Sequence, residues 1–164
     1  MNTLPAVGTI FGSGFGAKLI GGGRARTFVM ANVVGIIGAA FTFSSSFNLF
    51  LFAKFIVGCS IGMTGVTVAR YIEEYVPLAW FGTSQAISLA FLQGGIFLST
   101  IIGAILPPDE EYKELKEDQN WRIIFAVQPI LLIVTIILFY ILVGHDPPRF
   151  LISQGMDDKA KSVI

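Results

Sequence analysis

The stretch FIVGCSIGMTGVTVARYIEEYVP, Phe55 to Pro77, decides the fold. It opens with 15 residues that carry no charge, Phe55 to Ala69, and then sets Arg70, Glu73, Glu74 and a proline close together. A bilayer span takes about 20 mainly apolar residues as a helix, because an unpaired backbone amide in hydrocarbon costs several kcal/mol. The run therefore reads as a helix that crosses lipid and surfaces at Arg70. Composition agrees: of 164 residues, 54% are hydrophobic and 13% charged, too few charges to cover a water-facing surface.

Outward from this helix, other segments meet the same demand. The predicted spans are Leu4 to Ile20, Thr27 to Phe47, Leu49 to Tyr71, Gly82 to Leu106 and Ile123 to Gly144, the last with a kink at Pro129. Residues 75–108 hold no charge, too long a run for one straight span, so the third helix's exit turn precedes the fourth. The opening MNTLPAVGTIFGSGFGA has no basic residue before Lys18 and is expected to lie in the first span rather than to act as a cleaved leader. The predicted fold class is an all-α membrane protein. Residues 1–144 form a bundle of five transmembrane helices, and residues 145–164 a cytoplasmic segment with a short helix along Phe150, Leu151 and Ile152.

Cytoplasmic loops hold the excess of Lys and Arg. Lys18, Arg24, Arg26, Arg70, Arg149, Lys159 and Lys161 fall on one side of the predicted bundle, and Lys54, Lys113, Lys116 and Arg122 on the other. This places the glycine-arginine loop GGGRAR and the C-terminus in the cytoplasm, and the acidic loop PPDEEYKELKEDQNWR outside. The 11 basic and 11 acidic residues cancel, so no global field points to nucleic acid. With one cysteine, Cys59, and one histidine, His145, clustered metal ligation and a histidine-based triad have no residues to draw on. Neither catalysis nor a cofactor is expected.

Small residues recur at spacing four: Gly8, Gly12 and Gly16 in the first span, Gly35 and Ala39 in the second, Gly58 and Gly62 in the third. Helices in lipid associate through close backbone approach, so these ridges predict helix packing. The end of the third span poses a different problem. A helix C-terminus carries partial negative charge, which disfavours Glu73 and Glu74 by up to about 1 kcal/mol unless a cation meets them. Arg70, spaced four from Glu74, is the local candidate, although Arg before Glu is the weaker order. Arg24, Arg26 and Arg149 are the distant candidates on the same side.

Tyr71, Ile72, Glu74 and Pro77 match Y-I-x-E-x-x-P, and here the sequence resembles the sugar porter branch of the major facilitator superfamily, which has this motif at the inner end of its fourth helix. That branch has P-E-S-P-R-[WF]-L after its sixth helix. HDPPRFLISQGMDDKA follows it with Asp146 for the Glu, then Pro148, Arg149, Phe150 and Leu151, and further on Gly155 and Ala160. Trp121 and Arg122 match the W-R pair before the sixth helix, and Lys54, Gly58 and Gly62 match R-x-x-x-G-x-x-x-G with Lys for Arg. These motifs occur in family order over nearly the whole chain.

There are departures. In the family the loop after the second helix reads G-x-x-x-D-R-x-G-R-R. Gly16, Gly23, Arg24 and Arg26 fit, but Ile20 stands for the Asp and Gly21 for the Arg. Phe81-Gly82 replaces R-G after Pro77, and Leu89 falls where the family has a sugar-contacting Gln. Gln93, one turn on, is the nearest amide and the candidate substrate-binding residue, with a helix-helix hydrogen bond as its other role.

The resemblance implies that the first span corresponds to the family's second helix and the fifth to its sixth. Such transporters have two six-helix halves and bind solute near the midplane between them. The chain would then lack one helix of the first half and the whole second half, where most sugar-contacting residues lie. The resemblance also implies that Glu74 and Arg149 belong to a cytoplasmic gate network that ties helix ends together while the site faces outward. Asp146 and the glycine-loop residues Arg24 and Arg26 are candidate members on the same side, with topology and headgroup contact as the other role of Arg24 and Arg26. Two functions follow, both in contact with the lipid bilayer. One is the N-terminal part of a secondary transporter for a small polar organic solute such as a sugar, acting if a second half is supplied. The other is a shortened, non-transporting structural or interaction subunit with a partner membrane subunit.

Overall fold

The computed structural model describes residues 3–43, 46–104 and 120–156. Among these residues there are six α-helices and no strand: α1 (Thr3–Leu19), α2 (Arg24–Phe41), α3 (Phe47–Tyr75), α4 (Leu78–Gly103), α5 (Asn120–Leu142) and α6 (Pro148–Ser153), with a 3₁₀ turn at Ile20–Gly22 between α1 and α2. Helices α2 to α5 each contain a stretch long and apolar enough to cross a membrane. At 17 residues α1 is shorter. The chain is an all-α, multi-pass integral membrane protein. Leu106, the loop at 107–119 and residues 157–164, with Lys159, Ala160 and Lys161, lie outside the described residues.

The helix ends differ from the sequence expectation for local reasons. Helix α3 runs from Phe47 rather than Leu49 and to Tyr75 rather than Tyr71. It stops where Pro77 disfavours helical backbone in the residue before it, and Val76 is extended at φ −91° and ψ 132°. Helix α4 starts at Leu78 rather than Gly82, with the Trp80 N–H donating to the Pro77 carbonyl at 2.9 Å. A proline is tolerated at this helix entry because its missing N–H would have had no partner there. Helix α2 begins at Arg24 rather than Thr27, and α5 continues through Pro129.

The glycine ridges pack as predicted. Gly8, Gly12 and Gly16 of α1 and Gly58 and Gly62 of α3 are all buried. A Cβ at Gly12 would run into the Cys59 backbone, and one at Gly62 into the Thr9 carbonyl. Contact of this kind in lipid comes from backbone approach rather than from hydrophobicity. Helix α2 lies against α3 through Gly35 and Gly38, and the Ser60 hydroxyl donates to the Ala31 carbonyl at 2.7 Å, a bond between the two helices. Helix α5 joins through Phe139, whose ring centroid is 4.7 Å from that of Phe28. Helix α4 contacts α3 sparingly and exposes Trp80, Phe91, Phe97 and Leu98, an apolar surface suited to lipid.

Candidate functional site

At one end of the bundle the α1–α2 connection, the last turn of α3 and the α5–α6 connection converge. Gly23 has φ 132°, a backbone that side-chain-bearing residues rarely adopt, and this lets the 3₁₀ turn end and α2 begin at once. Its N–H donates to the Ile20 carbonyl at 3.2 Å. The Thr27 hydroxyl donates back to the Gly23 carbonyl at 2.7 Å, which fixes the first turn. Arg24, the first residue of α2, is thereby aimed at α3.

The Arg24 guanidinium grips the Glu74 carboxylate on both oxygens. Nη2 donates to Oε1 at 2.7 Å, and Nε lies 3.1 Å from each oxygen. Nη1 donates to the Ile20 carbonyl at 2.7 Å, and the guanidinium carbon sits 4.0 Å from the Phe150 ring centroid. The side chains of the pair are only 15% and 16% exposed, so the interaction is little screened. Each charge is badly placed with respect to its own helix, a cation at an N-terminus and an anion at a C-terminus. Together they cancel.

Asp146 is well placed on both counts. Its Oδ1 accepts the Ala25 N–H at 2.7 Å, satisfying one of the unpaired donors at the start of α2 with a carboxylate that the helix dipole favours. The adjoining chain is held down by Pro147, which is fully buried, and by Phe150 and Leu151, each 6% exposed. Pro148 opens α6, a position where proline is favoured. The Tyr71 hydroxyl donates to the His145 carbonyl at 3.0 Å, and its ring meets Phe139 at 5.8 Å, tying α3 to the end of α5.

Of the predicted gate residues, the structure brings Arg24, Glu74 and Asp146 into one cluster. Arg149 does not reach Glu74. It is exposed and donates to the Glu73 main-chain carbonyl at a long 3.5 Å. Arg70 meets Glu73 at 2.7 Å, spacing three, rather than Glu74 at spacing four. Successive helical residues point about 100° apart, so Glu74 faces α2 while Glu73 faces solvent with Arg70. Arg26 is exposed, has no ion pair among the described residues, and borders a cleft of about 150 Å³ with Leu19 and Met30. Gln93 is exposed on α4, far along the chain from this cluster, and makes no hydrogen bond among the described residues.

Sequence reasoning missed the Ile20 carbonyl and the Phe150 ring as partners of Arg24. The carbonyl has no sequence signal, since any residue supplies one. Ile20 itself is buried and stands where the Asp of the family loop would be, so the main chain provides the acceptor there. Phe150 and Tyr71 were visible as motif positions, but nothing in the motif tells which charge a ring covers.

Residues 2–164 match the family described as sugar (and other) transporters. Relatives include Hexose transporter 1 of Plasmodium knowlesi, 26% identical over 96% of this chain and 33% of that protein. Hexose transporter 1 of Toxoplasma gondii is 24% identical over 100% of this chain and 30% of its own length. Myo-inositol transporter 3C of Cryptococcus neoformans is 28% identical over 96% of this chain and 26% of its own length. The chain thus spans a third or less of these relatives. Matched over nearly all its residues, and carrying the clustered Glu74, Arg24 and Asp146, the chain belongs to the sugar porter branch of the major facilitator superfamily.

Proposed function

We propose that this chain forms the N-terminal bundle of a secondary transporter for a small polar organic solute such as a sugar, acting when a second bundle is supplied. Arg24, Glu74 and Asp146 are its cytoplasmic latch, with residues 145–164 as an intracellular segment whose start the latch holds. The observation that carries this reading is the Arg24–Glu74 pair at 2.7 Å beside the Asp146 cap, which locks three chain connections at a single end of the bundle. A shielded, bidentate ion pair gives a closed state of defined geometry, and its separation permits rocking of one bundle against another. The relatives named as hexose and inositol transporters support the solute class.

Orientation follows from charge. Lys18, Arg24, Arg26, Arg70 and Arg149 gather at the latch end, which supports a cytoplasmic assignment for it. Arg26 and Arg149 serve that end as exposed cations, with Arg149 also donating to the Glu73 carbonyl near the end of α3. Gln93 has no hydrogen-bond partner among the described residues and would contact solute only from a face that a second bundle covers.

A second reading is a non-transporting subunit of a membrane complex. Ile20 and Gly21, in place of a charged pair in the family's loop, favour it. Uptake of radiolabelled glucose and myo-inositol into sealed vesicles distinguishes the two, using the chain alone and the chain co-expressed with the part of a hexose-transporting relative that it does not match. Saturable flux in either preparation supports transport. Its absence from both overturns the transport reading in favour of the subunit.

A further inference from the structure

Helix α2 has two faces. One is buried through Thr27, Phe28, Ala31, Gly35 and Gly38. The other begins at Arg26 and continues through Met30, Val33 and Ile37, whose spacings of four, three and four set them in line along one side of the helix. All four are exposed. At 1.5 Å per residue the stripe is about 16 Å long, the depth of about one leaflet of a ~30 Å hydrocarbon core. An arginine thus stands at headgroup level with a leaflet's depth of aliphatic surface beneath it.

Between the head of this stripe and the end of α1 lies the cleft of about 150 Å³, lined by Leu19, Gly22, Arg26, Thr27 and Met30. Whole small molecules occupy sites of about 300–1,000 Å³, so the cleft has room for one group of a larger molecule. Its charged wall is Arg26. The Thr27 hydroxyl is committed to the Gly23 carbonyl, which leaves the guanidinium to select the occupant. A guanidinium's planar fork matches the oxygens of a phosphate. Gly21 and Gly22 are exposed and set no side chain across the cleft, and Lys18, exposed in the last turn of α1, adds positive charge to the same rim. Basic pockets between spanning helices at the cytoplasmic side are where anionic headgroups bind.

We propose that the cleft between the end of α1 and the start of α2 seats the phosphate of an anionic phospholipid, held by Arg26, with an acyl chain laid along Met30, Val33 and Ile37. A free phosphate ion would meet Arg26 equally well but leave the stripe uncovered. A lipid meets both. The inference goes beyond the transport reading and needs neither a solute nor a second bundle. Arg24 and Arg26 point about 200° apart around α2, so the same first turn is held from within by Glu74 and from without by the lipid.

The test uses the full chain purified in detergent micelles, with bound lipid counted by native mass spectrometry during titration with dioleoylphosphatidylglycerol or dioleoylphosphatidylcholine. Their acyl chains are identical, and in the second the choline ammonium offsets the phosphate. The anionic lipid should bind about 5-fold more tightly. Arg26→Gln should remove the preference and Arg26→Lys should retain part of it. Arg70→Gln deletes one positive charge at the same end and should leave the preference unchanged, which separates a site from a general field. Gly22→Phe sets a ring at the cleft, where an added Cβ meets no described atom within 4 Å, and should weaken binding of the anionic lipid in a folded chain. If Arg26→Gln fails to fold, the Gly22 variant decides. Equal affinity for the two lipids, equal losses from Arg26→Gln and Arg70→Gln, or binding unaffected by Gly22→Phe overturns the site. Displacement of the lipid by inorganic phosphate at fixed ionic strength overturns the lipid as its occupant in favour of a soluble anion.

Discussion

Removing the Arg24–Glu74 pair one partner at a time gives a result whose size the geometry sets. Charge centres about 4 Å apart attract by roughly 4 kcal/mol at the effective dielectric near 20 that suits protein boundaries. Desolvation of a pair only 15% and 16% exposed offsets part of this. A coupling of about 2 kcal/mol is expected in the double-mutant cycle of Arg24→Gln and Glu74→Gln. The single changes should be unequal. Glu74→Gln leaves Arg24 its bond to the Ile20 carbonyl and its contact with Phe150, and should cost about 2 kcal/mol. Arg24→Gln leaves Glu74 without a cation at the negative end of α3, and should cost nearer to about 3 kcal/mol. Equilibrium unfolding in mixed micelles, followed by helix content, measures all four corners of the cycle. Arg149→Ala with Glu74→Gln is the control and should be additive, because Arg149 meets the Glu73 carbonyl and not Glu74. Additivity within about 0.5 kcal/mol for the Arg24 cycle, or coupling in the Arg149 cycle, would refute the latch as described.

Other changes test the supports of this site. Asp146→Ala removes the acceptor at the Ala25 N–H and should destabilise by about 1 kcal/mol, while Asp146→Asn retains most of the cap; thermal unfolding of the two variants compares them. Gly12→Val forces a side chain into the Cys59 backbone and should cost about 3 kcal/mol or prevent folding, whereas Gly14→Ala, with open space around it, should stay within about 0.5 kcal/mol of the parent. Ser60→Ala deletes the bond to the Ala31 carbonyl and should lower stability by about 0.6 kcal/mol, a typical value for such a bond in lipid, readable in the same unfolding assay. Arg70→Ala breaks an ion pair whose partners are 55% and 52% exposed, and an effect below about 0.5 kcal/mol is expected.

The sequence by itself determined the solvent, the helices and the glycine seam. Uncharged runs of this length have one stable form in lipid, and glycines at spacing four on α1 and α3 leave two flat faces that can meet in one way. It also determined that Glu74 needed a cation. Which cation was a matter of tertiary structure alone. Arg24, Arg26, Arg70 and Arg149 were equivalent as charges on one side, and the choice among them was made by Gly23's backbone, which turns α2 so that Arg24 faces α3, and by the helical rotation that separates Glu73 from Glu74. A cavity lined by Lys54 of α3, Leu98 and Ser99 of α4 and Gln128 of α5 was likewise invisible, because these three helices are far apart in the chain and only their packing brings the residues together. Helix periodicity and hydropathy are local properties that a sequence displays directly. Partner choice depends on the relative rotation of packed helices, and that angle is fixed only when all their side chains are in place.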